Sequence, residues 1–286
     1  MEFPPQFLTE PKIYVIAQTK PNRLSMDDAI AEILGEHTSD AWTAATIGED
    51  DASVLTAFAA KTCYQSYGSG RNMQEHIEQL LSSYHGSTLA HFSMTFLITQ
   101  VSRSLTHELV RHGIGTAYSQ LSQRYVNESN VRFVIPPLYL AHLQAAEMSG
   151  SVKAMKDAQQ FMQGWMNMCF REQAYYQATV EEIMQWPEIQ SLSARSDRLK
   201  AAREAARNSL PNAAETAIVV TANNRSLRHM IEMRASRYAD AEICRLFDLI
   251  FQKAREIAPR IYEDFNTIEV PGKPYLVEHE SKWRKV

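Results

Sequence analysis

The sequence predicts an α+β fold, in which one domain combines a mixed sheet with long helices. Apolar residues make up 45% and charged residues 22% of the 286 residues, the profile of an ordinary globular protein. Residues 92–99 alternate with the period of a half-buried strand, whereas residues 138–210 carry a helical pattern. Repeats, low-complexity tracts and linkers are absent from the sequence. We therefore expect a single domain over residues 1–286, with a core at about 12–265.

Four stretches are predicted to form strands. The first, residues 12–17, lies between prolines at 11 and 21, and the second is the alternating stretch at 92–99. Residues 132–135 end at two prolines, and residues 216–221 read as a buried strand.

Helices are predicted between these strands. Residues 52–82 read as helical, with a break at the turn 66–70. Ser102 or Ser104 is expected to cap a helix that runs to about His112, before Gly113 and Gly115. The helical stretch 138–210 has one expected break, around residues 186–187, and Pro211 closes it. Asn223 and Asn224 offer caps to another helix, and a long helix is expected from about 240 to 258.

Composition excludes several classes of protein. No run of about 18 apolar residues occurs, so a membrane-spanning helix is not expected. The N-terminus lacks the basic-then-apolar layout of a signal peptide. Three widely spaced cysteines, Cys63, Cys169 and Cys244, suit neither a disulfide framework nor a four-thiolate zinc site. A cytosolic location is the expectation.

The net charge is −4, with 29 Lys and Arg against 33 Asp and Glu, so a generic polyanion binder is not expected. Basic residues are nevertheless in excess between Arg195 and Arg237. Such an excess suits a small ligand that carries phosphate or a nucleic-acid patch, and a solvated basic helix face is an equally good interpretation.

The segment 107–125 is the densest in chemically active side chains. His107 and His112 are five residues apart, about 140° around a helix, so they do not share the face that a zinc-protease motif needs. Cys63 has no histidine close in sequence, which disfavours a cysteine nucleophile. Arg111 and Arg124, with Gln120 and Ser122, instead offer donors to an anion.

A second set of donors lies downstream. Lys200, Arg203 and Arg207 share one helical stripe, although a surface ion pair is the commoner role for any one arginine. The residues alone therefore predict that the protein binds a phosphorylated ligand.

Five ordered blocks resemble the flavin-dependent thymidylate synthases. The most specific is Arg111-His112-Gly113, eight residues, and then Ser122-Gln123-Arg124-Tyr125, which is similar to the family signature Arg-His-Arg with a later Ser. The other blocks are Cys63-Tyr64-Gln65-Ser66, His85-Gly86-Ser87 through His91, Leu210-Pro211-Asn212 with Asn223-Asn224-Arg225-Ser226, and Met233-Arg234-Ala235-Ser236. The resemblance covers roughly residues 12–265.

The resemblance implies a methyltransferase that converts dUMP to dTMP. Methylenetetrahydrofolate would be the carbon donor, and FAD reduced by NADPH would carry the hydride. No cysteine nucleophile is needed, because a positive group beside the uracil would favour loss of the N3 proton. The implied assembly is a homotetramer with shared active sites, and neither nucleic acid nor a membrane is an expected partner.

The resemblance also assigns site residues. Arg234 matches the uracil-activating arginine, and its guanidinium stays cationic at any working pH. The expected dUMP contacts are Glu108, Leu109, Val110, Arg111, Gln120, Leu121, Ser122, Gln123, Arg124, Lys200, Arg207 and Arg234 itself. The expected FAD contacts are Ser93, Arg111, His112, Gly113, Gln120, Asn223, Asn224, Arg225 and His229. No metal ligand is expected.

Three positions depart from the family pattern. Gly113 replaces the second arginine of Arg-His-Arg, Ala90 replaces a glutamate, and Tyr238 replaces a histidine. Our hypothesis is that nucleotide binding is retained and that flavin or folate handling is modified. Alternatives are a related enzyme that, for example, hydroxymethylates a pyrimidine nucleotide, a nucleic-acid-binding module, and a homologue without activity.

Overall fold

The structure is a computed structural model that describes residues 3–4, 6–67, 70–273 and 275–283. Its strands are Phe7–Leu8 (β1), Lys12–Gln18 (β2), Ser93–Ser102 (β3), Thr116–Gln120 (β4), Phe133–Val134 (β5), Glu215–Asn223 (β6), Phe265–Glu269 (β7) and Val277–Ser281 (β8). Its helices are Arg23–Leu34 (α1), Glu36–Thr46 (α2), Asp51–Thr62 (α3), Met73–Ser82 (α4), Arg103–Leu109 (α5), Pro137–Met148 (α6), Val152–Ile183 (α7), Pro187–Gln190 (α8), Arg195–Ala206 (α9), Asn224–Arg234 (α10), Ala241–Ile257 (α11) and Pro259–Tyr262 (α12).

The strands form three sheets. The largest has the strand order β2-β3-β6-β4. In this sheet β2 and β3 are consecutive in the sequence, whereas the pairs β3-β6 and β6-β4 join strands that are not consecutive. β1 pairs with β5 in parallel, and β7 pairs with β8 in antiparallel register, with Phe265 opposite Ser281. Long helices and short mixed sheets confirm the predicted α+β class.

Local sequence signals account for several boundaries. The N–H of Leu105 donates to Ser102 Oγ at 3.0 Å, so Ser102 is the cap of α5. Asn223 caps α10 in the same way, through the N–H of Ser226 at 2.9 Å. The turn predicted at 66–70 includes residues 68 and 69, which lie outside the described residues.

The break predicted around residues 186–187 is confirmed between α7 and α8, but the prediction of a single break in the stretch 138–210 is wrong. The chain leaves the helical conformation after α6 as well, where Gly150 has a φ of +65°, and again between α8 and α9. α5 ends at Leu109, three residues before the predicted end.

The chain folds into two compact units. Unit 1 comprises Met1–Lys12, Ile98–Val110 and Ser119–Ile218, and unit 2 comprises Ile13–Leu97, Arg111–Tyr118 and Val219–Val286. Each unit is built from separated stretches of sequence, so neither is a continuous piece of chain. The single domain remains a prediction.

The core of unit 1 packs beneath α7. Phe7 and Phe133 are buried with Met162, Met166 and Cys169, which recur along one face of that helix. The methionines between 148 and 168 therefore have a packing role in part, because flexible thioethers fill irregular space between helices.

The core of unit 2 forms around α11. Phe247 and Phe251 are buried on this helix, and Phe251 stacks on His279 of β8 with ring centroids 4.0 Å apart. The buried guanidinium of Arg228, on α10, donates to both carboxylate oxygens of Asp264, which lowers the pKa of Asp264 against the opposing effect of burial. This pair ties α10 to the segment before β7.

Candidate active site

A tight turn in unit 2 precedes β4. The backbone of Gly115 has a φ of +69°, and a Cβ at this position would lie 2.3 Å from Ser226 Oγ and 2.4 Å from Asn223 Nδ2. Two hydrogen bonds hold the turn against the start of α10, from Asn223 N–H to the Gly115 carbonyl and from Ser226 Oγ to the Ile114 carbonyl. Glycine is required here by both conformation and space.

His112 begins this turn and contacts Arg234 at the end of α10. Arg234 Nε–H donates to His112 Nε2 at 2.8 Å, and Tyr118 Oη donates to the His112 carbonyl at 2.7 Å. Burial, followed by the charge of Arg234 and the neighbouring His229, lowers the pKa of His112 to about 4. The imidazole is therefore neutral at physiological pH, and Nε2 is an acceptor.

A cavity of about 860 Å³ lies in unit 2 beside His112. Four of the residues that line it are Ala90, Ile114, Ser226 and Met230. The lining also includes six of the nine predicted cofactor residues, namely Arg111, His112, Gly113, Asn223, Arg225 and His229. Its volume is in the range of cofactor sites, which are typically about 300–1,000 Å³.

The chemistry of the lining suits a planar ligand that carries phosphate. Arg111 and Arg225 are cations at the cavity, and Arg225 stands in the first turn of α10, where the helix dipole also favours an anion. His112 and His229 add aromatic rings, with centroids 6.3 Å apart. These residues fit a flavin nucleotide.

The other predicted cofactor residues are not in the cavity lining. The backbone of Ser93 is hydrogen-bonded to Thr19. Asn224 is fully buried, and its Oδ1 accepts a hydrogen bond from Tyr262 Oη at 2.9 Å. Gln120 belongs to unit 1, where its Nε2 donates to Thr106 Oγ1 at 2.8 Å.

Residues 121–126, which we call the anchored segment, include four predicted nucleotide residues of unit 1, namely Leu121, Ser122, Gln123 and Arg124. Arg203 donates to the Tyr125 carbonyl at 2.6 Å, and the Lys200 ammonium lies 5.3 Å from the centre of the Tyr125 ring. Arg124 Nε is 2.7 Å from a carboxylate oxygen of Glu204. Lys200, Arg203 and Glu204 of α9 therefore hold this segment, a role that the sequence pattern alone does not show.

Inside the anchored segment, the Arg124 N–H lies 3.4 Å from Ser122 Oγ, and the Ser122 carbonyl accepts from the N–H of Tyr125 and of Val126. Gln123 is buried, and its Nε2 has no hydrogen-bond partner among the residues that the structure describes. An unpaired buried donor is costly unless a ligand or water satisfies it.

A buried carboxyl group lies near this segment and was missed by sequence reasoning. Glu128 is 4% exposed, and burial raises its pKa to about 7, with Arg103 opposing and Glu215 adding to the shift. Arg103 in turn donates to the Leu121 carbonyl at 3.4 Å and is close enough to Arg207 to feel its charge. The single glutamate after a loop carries no motif that could have identified it.

The remaining predicted nucleotide residues lie at the end of α5. Leu109 is fully buried, so its side chain belongs to the core, whereas Val110 is exposed and Glu108 is half-buried. Arg124 and Arg207 belong to unit 1, and Arg111 and Arg234 to unit 2. Convergence of these four guanidinium groups on one nucleotide remains a prediction.

Other chemistries find no support in the described residues. Burial raises the pKa of Cys169 to about 12 and of Cys244 to about 11, which keeps both thiols protonated. Cys63 is exposed, and its thiol faces the Ala59 carbonyl. Within the described ranges, no cluster of three or more His, Cys, Asp or Glu side chains could hold a metal ion, and no helix has the length and apolarity to cross a membrane.

Two of the three departures from the family pattern lie at the cavity. Gly113 and Ala90 are in its lining, and a Cβ on Gly113 would meet no described atom within 4 Å. Tyr238 is 90% exposed and is not among the lining residues.

The protein is thus an α+β protein whose cavity is lined by two arginines and two histidines. A family model described as thymidylate synthase complementing protein matches residues 46–260. The chain belongs to this family, which confirms the resemblance inferred from the motifs.

Similar proteins carry the name flavin-dependent thymidylate synthase. One from Mycobacterium avium is 38% identical over 220 residues, which cover 76% of this chain and 80% of the relative. One from Mycobacteroides abscessus is 38% identical over 221 residues, covering 76% and 81%. One from Mycobacterium tuberculosis is 37% identical over 224 residues, covering 77% and 82%.

A solved structure shares the fold. It is a UMP/dUMP methylase, PolB, from Streptomyces cacaoi bound with 5-Br dUMP. The comparison has a TM-score of 0.56 and 17% identity, and it covers 90% of this chain and 95% of that chain. At this identity the likeness supports the α+β architecture alone.

Proposed function

We propose that this protein is a flavin-dependent thymidylate synthase that methylates dUMP to dTMP. Methylenetetrahydrofolate is the carbon donor, NADPH is the reductant and FAD is the cofactor. The proposal also places the enzyme in the cytoplasm, as a homotetramer whose active sites are shared between subunits. The family membership and the names of relatives at 37–38% identity support this assignment.

The observation that carries the proposal is the cavity of about 860 Å³ in unit 2. Arg111 and Arg225 would hold the cofactor's phosphates, and the rings of His112 and His229 would contact its planar part. When bound, the flavin supplies hydride chemistry, which amino-acid side chains do not offer.

Arg234 is proposed to bind the uracil and to stabilise its anion. Its guanidinium keeps a positive charge, so it favours loss of the N3 proton without donating a proton of its own. The anchored segment is proposed to bind the phosphate, with Arg124, Ser122 and Arg207 as donors and Lys200 as a further cation.

The test combines a spectrum with a product analysis. We expect the purified protein to show the visible absorption bands of a flavin, and to convert dUMP to dTMP when methylenetetrahydrofolate and NADPH are present. A product that carries a hydroxymethyl group in place of the methyl group, or turnover of dCMP instead of dUMP, would identify the related pyrimidine-modifying enzyme. Absence of any product from the flavin-loaded protein would refute the assigned reaction.

The substitution Arg234→Ala tests the catalytic assignment. We expect it to abolish dTMP formation, because the only proposed cation beside the uracil is lost, while circular dichroism and thermal unfolding stay close to wild type. The control is Arg245→Ala on α11, outside the proposed machinery. Near-normal turnover by Arg234→Ala would show that the mechanism is wrong.

A further inference from the structure

The contact between Arg234 and His112 has a defined direction. Because an arginine Nε always carries a proton, the 2.8 Å contact requires a lone pair on His112 Nε2. The proton of the neutral imidazole is then on Nδ1. A protonated imidazole could not accept this hydrogen bond and would repel the guanidinium.

The backbone that carries the imidazole is itself held in place. The His112 carbonyl accepts hydrogen bonds from the hydroxyls of Thr116 and Tyr118, and the turn that follows is hydrogen-bonded to α10 through Asn223 and Ser226. α10 also carries Arg234 at its last position. Both partners are therefore connected to one helix.

An arginine side chain has four rotatable bonds, and a single contact at Nε restricts the last of them. With Nε fixed, the plane of the guanidinium is set, and so is the direction in which its terminal N–H groups point. Orientation of this kind lowers the reorganisation needed when charge develops on a substrate.

We propose that neutral His112 is a positioning residue that orients the guanidinium of Arg234 toward the uracil. This inference rests on the proposed function, in which Arg234 binds the uracil. It gives His112 a role distinct from lining the cofactor cavity, because it acts through a named atom of another side chain.

A double-mutant cycle tests the proposal. The four proteins are wild type, His112→Leu, Arg234→Lys and the double variant, since lysine has no Nε group to donate. For each we would measure kcat for dTMP formation, dUMP affinity by calorimetry and flavin content by absorbance. We expect His112→Leu to lower kcat roughly 10-fold or more in the wild-type background, and less than about 2-fold in the Arg234→Lys background.

A conservative variant keeps the test decisive if leucine disturbs the fold. In His112→Gln the side-chain oxygen can accept from Arg234 Nε, so we expect it to restore most of the lost activity. In His112→Asn the acceptor is too short to reach, so we expect a loss like that of leucine. The positioning role would be overturned if His112→Leu lowered kcat equally in both backgrounds, or if His112→Gln were no more active than His112→Asn.

The outcomes also separate this inference from the proposed function. If the wild-type protein makes dTMP but the effects of the two substitutions on kcat are additive, the positioning role of His112 is contradicted and the proposed function is not. A flavin-loaded wild-type protein that makes no dTMP would contradict the proposed function, and the dUMP affinities would still report whether His112 acts through Arg234.

Discussion

Side chains contribute to holding the anchored segment in unit 1, beside the backbone hydrogen bond from Leu121 N–H to the Ala217 carbonyl. Arg203 holds one carbonyl, Glu204 holds Arg124 and Arg103 holds the Leu121 carbonyl. A ligand that binds here meets cations that are already oriented, so little side-chain entropy is lost on binding. Lys200 and Arg203 thus contribute even where they touch no ligand.

Ser122→Ala is expected to weaken dUMP binding roughly 10-fold, because a hydroxyl donor to the phosphate is lost. Stability should change little, since the Ser122 carbonyl still accepts from Tyr125 and Val126. Calorimetric titration with dUMP measures the effect. The matched control is Ser129→Ala, whose hydroxyl donates only locally to Asn127. Equal affinities of the two variants would remove Ser122 from the site.

Glu128→Gln is expected to stabilise the protein at alkaline pH. Because burial raises the folded-state pKa from 4.5 to about 7, the unfolded chain ionises first as pH rises. The cost of the buried charge therefore grows between pH 4.5 and 7 and is complete above pH 7, at roughly 3 kcal/mol. At pH 5 most of this cost is absent.

Urea unfolding at pH 8 and pH 5 measures this difference. We expect the free energy of unfolding of Glu128→Gln to be higher than that of wild type at pH 8 and close to that of wild type at pH 5. Glu147→Gln is the control, since Glu147 is exposed on α6 and its charge stays in water. A glutamine variant whose advantage did not depend on pH would contradict the buried titration.

The turn 112–116 and α10 form one structural piece within unit 2. The helix begins with the Asn223 cap, and the same asparagine lies beside Gly115. The helix ends at Arg234, whose Nε donates a hydrogen bond to His112 at the start of the turn. A change in the turn should therefore reach both the helix cap and the proposed catalytic arginine.

Gly115→Ala is expected to destabilise the protein by about 2–3 kcal/mol. The new Cβ would overlap Asn223 and Ser226 at a backbone φ of +69°. Thermal unfolding measures the loss. Gly113→Ala is the matched control in the same turn, because its Cβ would meet nothing within 4 Å, and its stability should change by less than about 0.5 kcal/mol. Similar losses for both variants would argue against the close contact.

For the molecule as a whole, the proposed tetramer makes a simple prediction. Light scattering should give a particle of about four times the chain mass of 32.6 kDa. Phe161 and Tyr175 of α7 are largely exposed in the single chain, and burial of such aromatic side chains would favour association. A particle of one chain mass at micromolar concentration would contradict shared active sites.

Periodicity and capping signals predicted much of the architecture. β3, β6, α10 and α11 appear where the patterns placed them, because each carries a strong local signal such as alternation or an asparagine or aspartate cap. Helices α1 and α2, the short strand β1 and the β7–β8 pair were not predicted, although Asn22 caps α1. The short strand β5 lies within the strand predicted at residues 132–135. Two-residue strands depend on pairing with distant residues, and local sequence does not encode that pairing.

Sequence motifs alone were enough to identify the family and to nominate the residues that line the cavity, because those residues lie in contiguous blocks such as Arg111-His112-Gly113. Tertiary structure was needed for the partners of those residues. The Nε contact of Arg234 with His112 joins positions 122 residues apart, and the pKa of Glu128 depends on burial. Hydrogen-bond geometry and desolvation arise only when distant segments pack together, and for that reason no local sequence pattern predicts them.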